Sequence, residues 1–107
     1  MQESRLLRRI IHHLQKLRLA GEPLFWFKTH GNPPGIPDII ICHKGKFIGI
    51  ELKAPSGKLR RDQECISRRI IGAGGKWSVV KTIKDLEEVL FGDRGNGGEE
   101  NSRVLDK

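Results

Sequence analysis

The chain has 107 residues, of which 31% are charged and 36% hydrophobic, and its formal net charge is +7. This length is enough for one domain with a single core. No apolar run reaches the roughly 18 residues that a membrane span needs, so we expect no membrane contact. The N-terminus opens on a charged, periodic segment, which predicts no signal peptide. The two cysteines, Cys42 and Cys65, form no CxxC motif, and we expect reduced thiols in a cytoplasmic protein.

The charge is unevenly distributed along the chain. Residues 1–84 carry 17 Lys and Arg against 6 Asp and Glu, which leaves this part near +11. Residues 85–107 carry 3 against 7, which leaves the C-terminal stretch near −4. A strongly basic body favours a polyanionic partner, and nucleic acid is the commonest one. The alternative is a solvated surface that is basic without a partner.

The N-terminal third predicts a helix, a strand and a loop. A first helix is predicted over residues 3–19, because apolar residues recur at helical spacing and form one stripe: Leu7, Ile10, Ile11, Leu14 and Leu17. A short aromatic strand follows over 24–29. Residues 30–37 are dense in Gly, Pro and Asn, which indicates a loop.

The middle of the chain predicts a β-hairpin. Residues 38–43 contain three consecutive isoleucines, the pattern of a strand covered on both faces. A tight turn at Gly45 leads to a third strand over 47–54. A second helix is predicted over 59–71, with one face formed by Leu59, Gln63, Ile66 and Ile70.

The remaining segments complete an α/β domain. A fourth strand is predicted over 76–81, and Thr82 is expected to cap a short last helix that ends at Leu90, with Asp85 completing the cap. Residues 92–107 contain almost nothing to bury, so we expect a disordered acidic tail after a single domain over 1–91. The order α-β-β-β-α-β-α predicts an α/β sheet with helices packed on it.

The third predicted strand contains two candidate catalytic residues. Side chains alternate between the two faces of a strand, so Ile48, Ile50 and Leu52 form a core face while Glu51 and Lys53 point to the other side. A hairpin turning at Gly45 pairs residues whose numbers sum to about 90. This pairing predicts that Asp38, at the start of the preceding strand, lies beside Glu51 and Lys53.

Two carboxylates and an ammonium group at one end of a sheet suit phosphodiester hydrolysis. Carboxylate oxygens are hard ligands for Mg²⁺, which keeps several waters and binds phosphate oxygens as well. Glu3 would add a third carboxylate from the first helix, and Gln63 a hydrogen bond from the second. Taken singly, each feature has a structural alternative: a solvated sheet face, a turn, a buried amide, or a charge that favours the helix dipole.

In combination, Gly35-Ile-Pro-Asp38, Ile50-Glu51-Leu52-Lys53 and Gln63 resemble the motifs of the VRR-NUC branch of the PD-(D/E)XK nuclease superfamily, over residues 3–81. The resemblance implies a restriction-endonuclease-like αβββαβ core with a mixed four-stranded sheet flanked by helices. Its implied catalytic set is Asp38, Glu51, Lys53, Gln63 and Glu3. Its implied metal ligands are Asp38, Glu51, Glu3 and the Leu52 carbonyl, for Mg²⁺ with Mn²⁺ able to substitute.

The resemblance also implies a biological setting. Small stand-alone members are similar to phage and prophage proteins of the Holliday junction resolvase type. It therefore implies a homodimeric endonuclease that selects branched DNA in a bacterial or phage-infected cell. The alternatives are a basic DNA-binding module of the same fold with a silent site, and a structural partner in a larger complex.

Two further groups of residues are candidates for nucleic-acid contacts. Basic residues around the second helix are expected to follow the phosphate backbone, although a solvated helix face is the alternative: Lys58, Arg60, Arg61, Arg68 and Arg69. Trp26 and Trp77 have rings that stack on bases in some proteins, but as strand aromatics they are expected to belong to the core.

Overall fold

A computed structural model describes residues 2–54 and 56–92, except for the side chains of residues 2 and 3. Its elements, each within two residues of its predicted bounds, are α1 (Gln2–Leu19), β1 (Leu24–Lys28), β2 (Ile39–His43), β3 (Lys46–Leu52), α2 (Arg61–Gly72), β4 (Lys76–Val80) and α3 (Ile83–Phe91). The expected disordered tail lies outside the described residues from position 93 onward.

The four strands form one mixed sheet in the order β1-β2-β3-β4. β1, β2 and β3 are antiparallel neighbours, and β4 runs parallel to β3. The parallel pair is possible because α2 supplies the long crossover between its two strands. The predicted α/β class and the mixed four-stranded sheet are both confirmed.

The core lies between one face of the sheet and the helices α1 and α3. From α1 the buried hydrophobic side chains are Leu6, Ile10 and Leu14, which are spaced four residues apart. The predicted stripe included Ile10 and Leu14 correctly but omitted Leu6. Leu7 and Leu17 are only partly buried beside the core. The buried line is therefore rotated slightly from the face that the spacing predicted.

The two central strands differ from the prediction in how they are covered. In β2, Ile39 and Ile41 are buried but Cys42 is exposed, so this strand is not covered on both faces. In β3 the last five residues are all buried, including Gly49 and Glu51 on the face expected to be polar. The reason is that α2 packs over β3 and β4 and leaves the β1 side of the same face open.

Two smaller expectations, the Thr82 cap and the free cysteines, are met in the described part of the chain. The Asp85 backbone N–H donates to Thr82 Oγ1 at 3.0 Å, so Thr82 caps α3 as predicted. Cys42 and Cys65 are both free thiols. Within the described residues, no helix is long and apolar enough to cross a membrane.

Candidate active site

Asp38 lies at the end of the sheet where β2 begins and β3 ends. The β2–β3 pairs have residue numbers that sum to 89 rather than about 90. Continuing this register by one residue places Asp38 directly beside Glu51. One Asp38 carboxylate oxygen accepts the Leu52 backbone N–H at 2.8 Å, and the Asp38 carbonyl accepts the Thr29 N–H at 2.9 Å. The predicted meeting of Asp38 with the end of β3 is therefore present.

The Gly-x-Pro segment before Asp38 has a packing role at each defined position. Gly35 has φ +88°, and a Cβ there would lie 2.4 Å from the Asp62 carbonyl oxygen at the start of α2. Pro37 is buried against Gly49, where a Cβ would lie 2.8 Å from the proline Cγ. The loop is thus fixed against α2 and against β3, and these two contacts position the carboxylate that follows it.

Glu51 is a buried carboxyl group that Gln63 holds by a hydrogen bond. It is 2% exposed, and its Oε2 accepts a hydrogen bond from Gln63 Nε2 at 2.6 Å. Gln63 is itself held in place, because its Oε1 accepts the Arg60 backbone N–H at 2.9 Å. The other oxygen of Glu51, Oε1, is buried and has no hydrogen-bond partner among the residues described. The expected inward position of Gln63 is confirmed, and its amide orients Glu51.

Burial and a neighbouring carboxylate change the acidity of Glu51. Burial is the largest cause that raises its pKa, and the carboxylate of Asp38 adds to it, so that the pKa reaches about 8. The positive charges of Lys53 and Arg60 act in the opposite direction. Without a bound cation, Glu51 is therefore mostly protonated at neutral pH. A cation between the two carboxylates would remove their repulsion and favour the ionised form.

The donor set at this end of the sheet fits a hard divalent cation. It offers the oxygens of Asp38, the free oxygen of Glu51 and the nearby Leu52 carbonyl, and Mg²⁺ binds one or two carboxylates while keeping several waters. A cleft of about 190 Å³ opens beside Asp38 and gives room for those waters. No cluster of three or more His, Cys, Asp or Glu side chains occurs in the part of the chain that is described, so this centre has two carboxylates there.

The third proposed carboxylate, Glu3, has its backbone in the first turn of α1, but its side chain lies outside the described residues. Its neighbour Ser4 lines the cleft beside Asp38 together with Leu7. The start of α1 therefore reaches the carboxylate site, as the sequence predicted. The ligand role of Glu3 stays a prediction.

Lys53 follows β3 and borders a second, larger cleft. Its side chain is 8% exposed, and its charge acts on Glu51. The cleft has a volume of about 480 Å³ and is also lined by Lys81, Asp85 and Glu88. Gly57 packs on the aliphatic part of the lysine, since a Cβ there would lie 3.2 Å from Lys53 Cδ. The lysine stem is thus enclosed beside the carboxylates.

The five predicted phosphate-binding residues are all exposed around the N-terminus and outer face of α2. Arg60 is engaged locally, because its Nε lies 3.2 Å from Asp62 Oδ1. Both tryptophans are half-buried, and Trp26 packs against the core as expected. The Trp77 indole N–H is buried and finds no partner within the described structure.

Sequence reasoning missed two features near the site. Thr29 donates its hydroxyl to the Pro37 carbonyl at 2.7 Å and so fixes the loop that ends at Asp38. Phe25 and Phe27 are exposed on the same sheet face as Glu51. Strand alternation could have placed both phenylalanines on that face, because residues on either side of an inward Trp26 must point to the opposite face, but it does not show that they stay exposed.

Comparison with known proteins supports the fold. No family model and no curated protein matches the sequence. A solved structure named "VRR_NUC domain" matches with a TM-score of 0.67 and 18% sequence identity, over 83% of this chain and 94% of that chain. At this identity the likeness shows the arrangement of helices and strands. The chain has the fold of a VRR_NUC domain.

Proposed function

We propose that the protein is a metal-dependent nuclease that hydrolyses DNA phosphodiester bonds. One observation carries the proposal: the buried Glu51 keeps an oxygen without a partner in the described structure, beside Asp38 and within the field of Lys53. A buried carboxylate oxygen without a donor is costly, and a cation shared with the neighbouring Asp38 would offset that cost. The shared fold with a VRR_NUC domain supports the same assignment.

Asp38, Glu51 and the Leu52 carbonyl would hold Mg²⁺, or Mn²⁺ in its place. When bound, the ion would lower the pKa of a coordinated water and offset negative charge at the scissile phosphate. Gln63 acts as a positioning residue, since its hydrogen bond fixes which oxygen of Glu51 stays free. Hydrolysis forms a bond from a water oxygen to phosphorus and breaks a bond from phosphorus to a nucleoside oxygen, which leaves as a hydroxyl.

Lys53 supplies the positive charge that the protein itself brings to the reaction. The transition state carries more negative charge on its phosphoryl oxygens than the ground state, so a fixed ammonium group stabilises it preferentially. Because the lysine stem is enclosed and only 8% exposed, the charge does not have to be ordered when DNA binds. Lys53 is therefore the residue whose loss should affect the chemical step most directly.

The finer proposal concerns the substrate and the working unit. The exposed basic residues of α2, with the net charge of +7, favour a polyanion with phosphates on a broad surface. Selectivity for branched DNA and a homodimer that cuts two strands come from the family resemblance. One candidate site per chain is consistent with them, since symmetric cleavage of two strands needs a second, two-fold-related copy.

Cleavage of labelled duplex, flap and four-way-junction DNA, in Mg²⁺, Mn²⁺ or EDTA, tests the proposal. We expect cleavage only with metal, and a loss of about a hundredfold or more for Asp38→Asn and Lys53→Met. Glu64→Gln, at an exposed position of α2, is the matched control and should cleave normally. Metal-dependent cleavage that survives both substitutions would refute the site. Tight DNA binding without cleavage by the wild-type protein would favour the silent DNA-binding module.

A further inference from the structure

The sheet face that carries Glu51 continues into an exposed aromatic surface that the proposed chemistry does not use. It consists of Phe25, Phe27 and Phe47, whose exposed fractions are 67%, 48% and 46%. Phe25 and Phe47 lie in one row across the sheet, because both pair with Cys42, and Phe27 lies two residues after Phe25 on the same face. We call these three residues the phenylalanine face. Exposed aromatic clusters of this kind mark binding sites more often than scattered apolar residues do.

The phenylalanine face begins next to the carboxylates. Phe27 lies in the row that crosses Ile40 and Gly49. Continuing the register by two residues gives the next row on the same face, which holds Asp38 and Glu51. Same-face neighbours along a strand are about 6–7 Å apart. That is close to the spacing of successive phosphates along an extended single strand. A strand whose phosphate sits at the carboxylates therefore reaches Phe27 within one or two nucleotides.

The chemistry of this surface suits nucleobases. The rings of Phe25 and Phe27 lie 6.3 Å apart between centroids, and every base has a flat face that stacks on such rings whatever its sequence. Phe47 also forms a wall of an apolar cleft of about 470 Å³, which Arg69 borders from α2. Lys28, at the end of β1, is not part of this surface, because it follows Trp26 by two residues and lies on the opposite face of the sheet. Arg69 beside Phe47 supplies positive charge for a phosphate chain that crosses this aromatic surface.

We propose that the phenylalanine face binds unpaired nucleotides adjacent to the bond that the site cleaves. Bases in a duplex are stacked on one another and cannot lie flat on a protein ring, so only a single-stranded arm, a flap or a splayed junction strand can use this surface. The proposal deepens the proposed function by assigning a binding surface on this chain to the unpaired nucleotides beside the scissile phosphate. Its location rests on the proposed function, but base binding can be measured without cleavage.

Binding of fluorescein-labelled dT15 and of a labelled 15-base-pair duplex, followed by anisotropy in EDTA, tests the proposal. We expect Phe27→Leu to weaken dT15 binding about fivefold or more, because stacking on one ring contributes that much. Phe27→Trp should restore binding, and duplex affinity should change less than twofold in both variants. Leu19→Ala is the matched control, since Leu19 is an apolar side chain with 79% exposure on α1. Phe25→Leu gives the same readout if Phe27→Leu fails to fold.

Three results would overturn the proposal. One is unchanged dT15 binding in both leucine variants, and another is an equal loss for dT15 and duplex. The third is a wild-type dimer in sedimentation velocity that becomes a monomer in Phe27→Leu, since the face would then be the interface with a second copy. Asp38→Asn separates this proposal from the nuclease proposal. It should abolish cleavage and keep dT15 binding, so base stacking can stand even if the cleavage site is wrong.

Discussion

Replacing Glu51 with Gln should stabilise the metal-free protein, and increasingly so as the pH rises. Glu51 is 2% exposed, and its pKa is raised from 4.5 to about 8, first by burial and then by the carboxylate of Asp38. A raised pKa means that the folded chain holds the proton more tightly than the unfolded chain does. Stability from this group is therefore complete below pH 4.5 and is lost as the pH rises toward 8.

The raised pKa of Glu51 sets the order of magnitude of this effect. At about 1.4 kcal/mol for each pKa unit, ionising Glu51 costs the folded chain roughly 5 kcal/mol more than the unfolded chain. The wild-type free energy of unfolding should fall by about 1.4 kcal/mol per pH unit between pH 5 and 8, relative to Glu51→Gln. At pH 7 the difference should be about 3 kcal/mol. Glutamine keeps an oxygen that can accept the Gln63 hydrogen bond, so the packing contact survives.

Urea unfolding in EDTA at pH 5, 7 and 9, followed by tryptophan fluorescence, measures this difference. Glu64→Gln removes one carboxylate from an exposed position and should not reproduce the divergence with pH. Added Mg²⁺ should stabilise the wild type more at pH 9 than at pH 7, because the cation competes with the proton, and it should have little effect on Glu51→Gln. A difference between wild type and Glu51→Gln that stays constant from pH 5 to 9 would refute the reasoning.

Three further perturbations test the surroundings of the site. Gln63→Leu removes the donor to a buried carboxylate; we expect a loss of about 1–3 kcal/mol in urea unfolding, and a cleavage optimum at higher pH because Glu51 then holds its proton more tightly. Gly35→Ala should destabilise the protein more than Gly31→Ala, because both have positive φ but only Gly35 is in close contact with α2; equal melting temperatures for the two variants would contradict this. Arg68→Gln should reduce the slope of log affinity against log salt for duplex DNA by about 0.9, if Arg68 contacts one phosphate.

The order of elements and the meeting of Asp38 with Glu51 could be predicted because each depends on a local rule. Alternation along β3 and a turn at Gly45 are enough to align the hairpin, although its pairing sum is 89 rather than about 90. Gln63 was expected to point inward from its position on the apolar side of α2, and it does so. Features that depend on local backbone geometry can therefore be predicted from a single sequence.

The degree of burial could not be predicted in the same way. The sequence describes Glu51 as a polar residue opposite a core face, but it does not say how far α2 reaches across the sheet. That reach depends on Gly35 and Pro37, whose close contacts draw the loop against α2 and β3. Alternation could have shown that Phe25 and Phe27 share a face with Glu51, but not that they stay exposed. Coverage of a sheet is a tertiary property, and the raised pKa of Glu51 follows from it.

Partial coverage by α2 connects the chemistry to the approach of the substrate. The helix buries β3, and its Gln63 side chain donates a hydrogen bond to Glu51. The carboxyl group is therefore shielded from water, and its raised pKa would fall when a cation binds. The same helix leaves β1 uncovered, so Phe27 remains exposed one row away. A helix that covered the whole face would bury the phenylalanines and block DNA from that side, and one that covered less would hydrate Glu51. The carboxylate site lies at the boundary between the covered and open halves of the sheet, where Glu51 is buried and DNA can still approach.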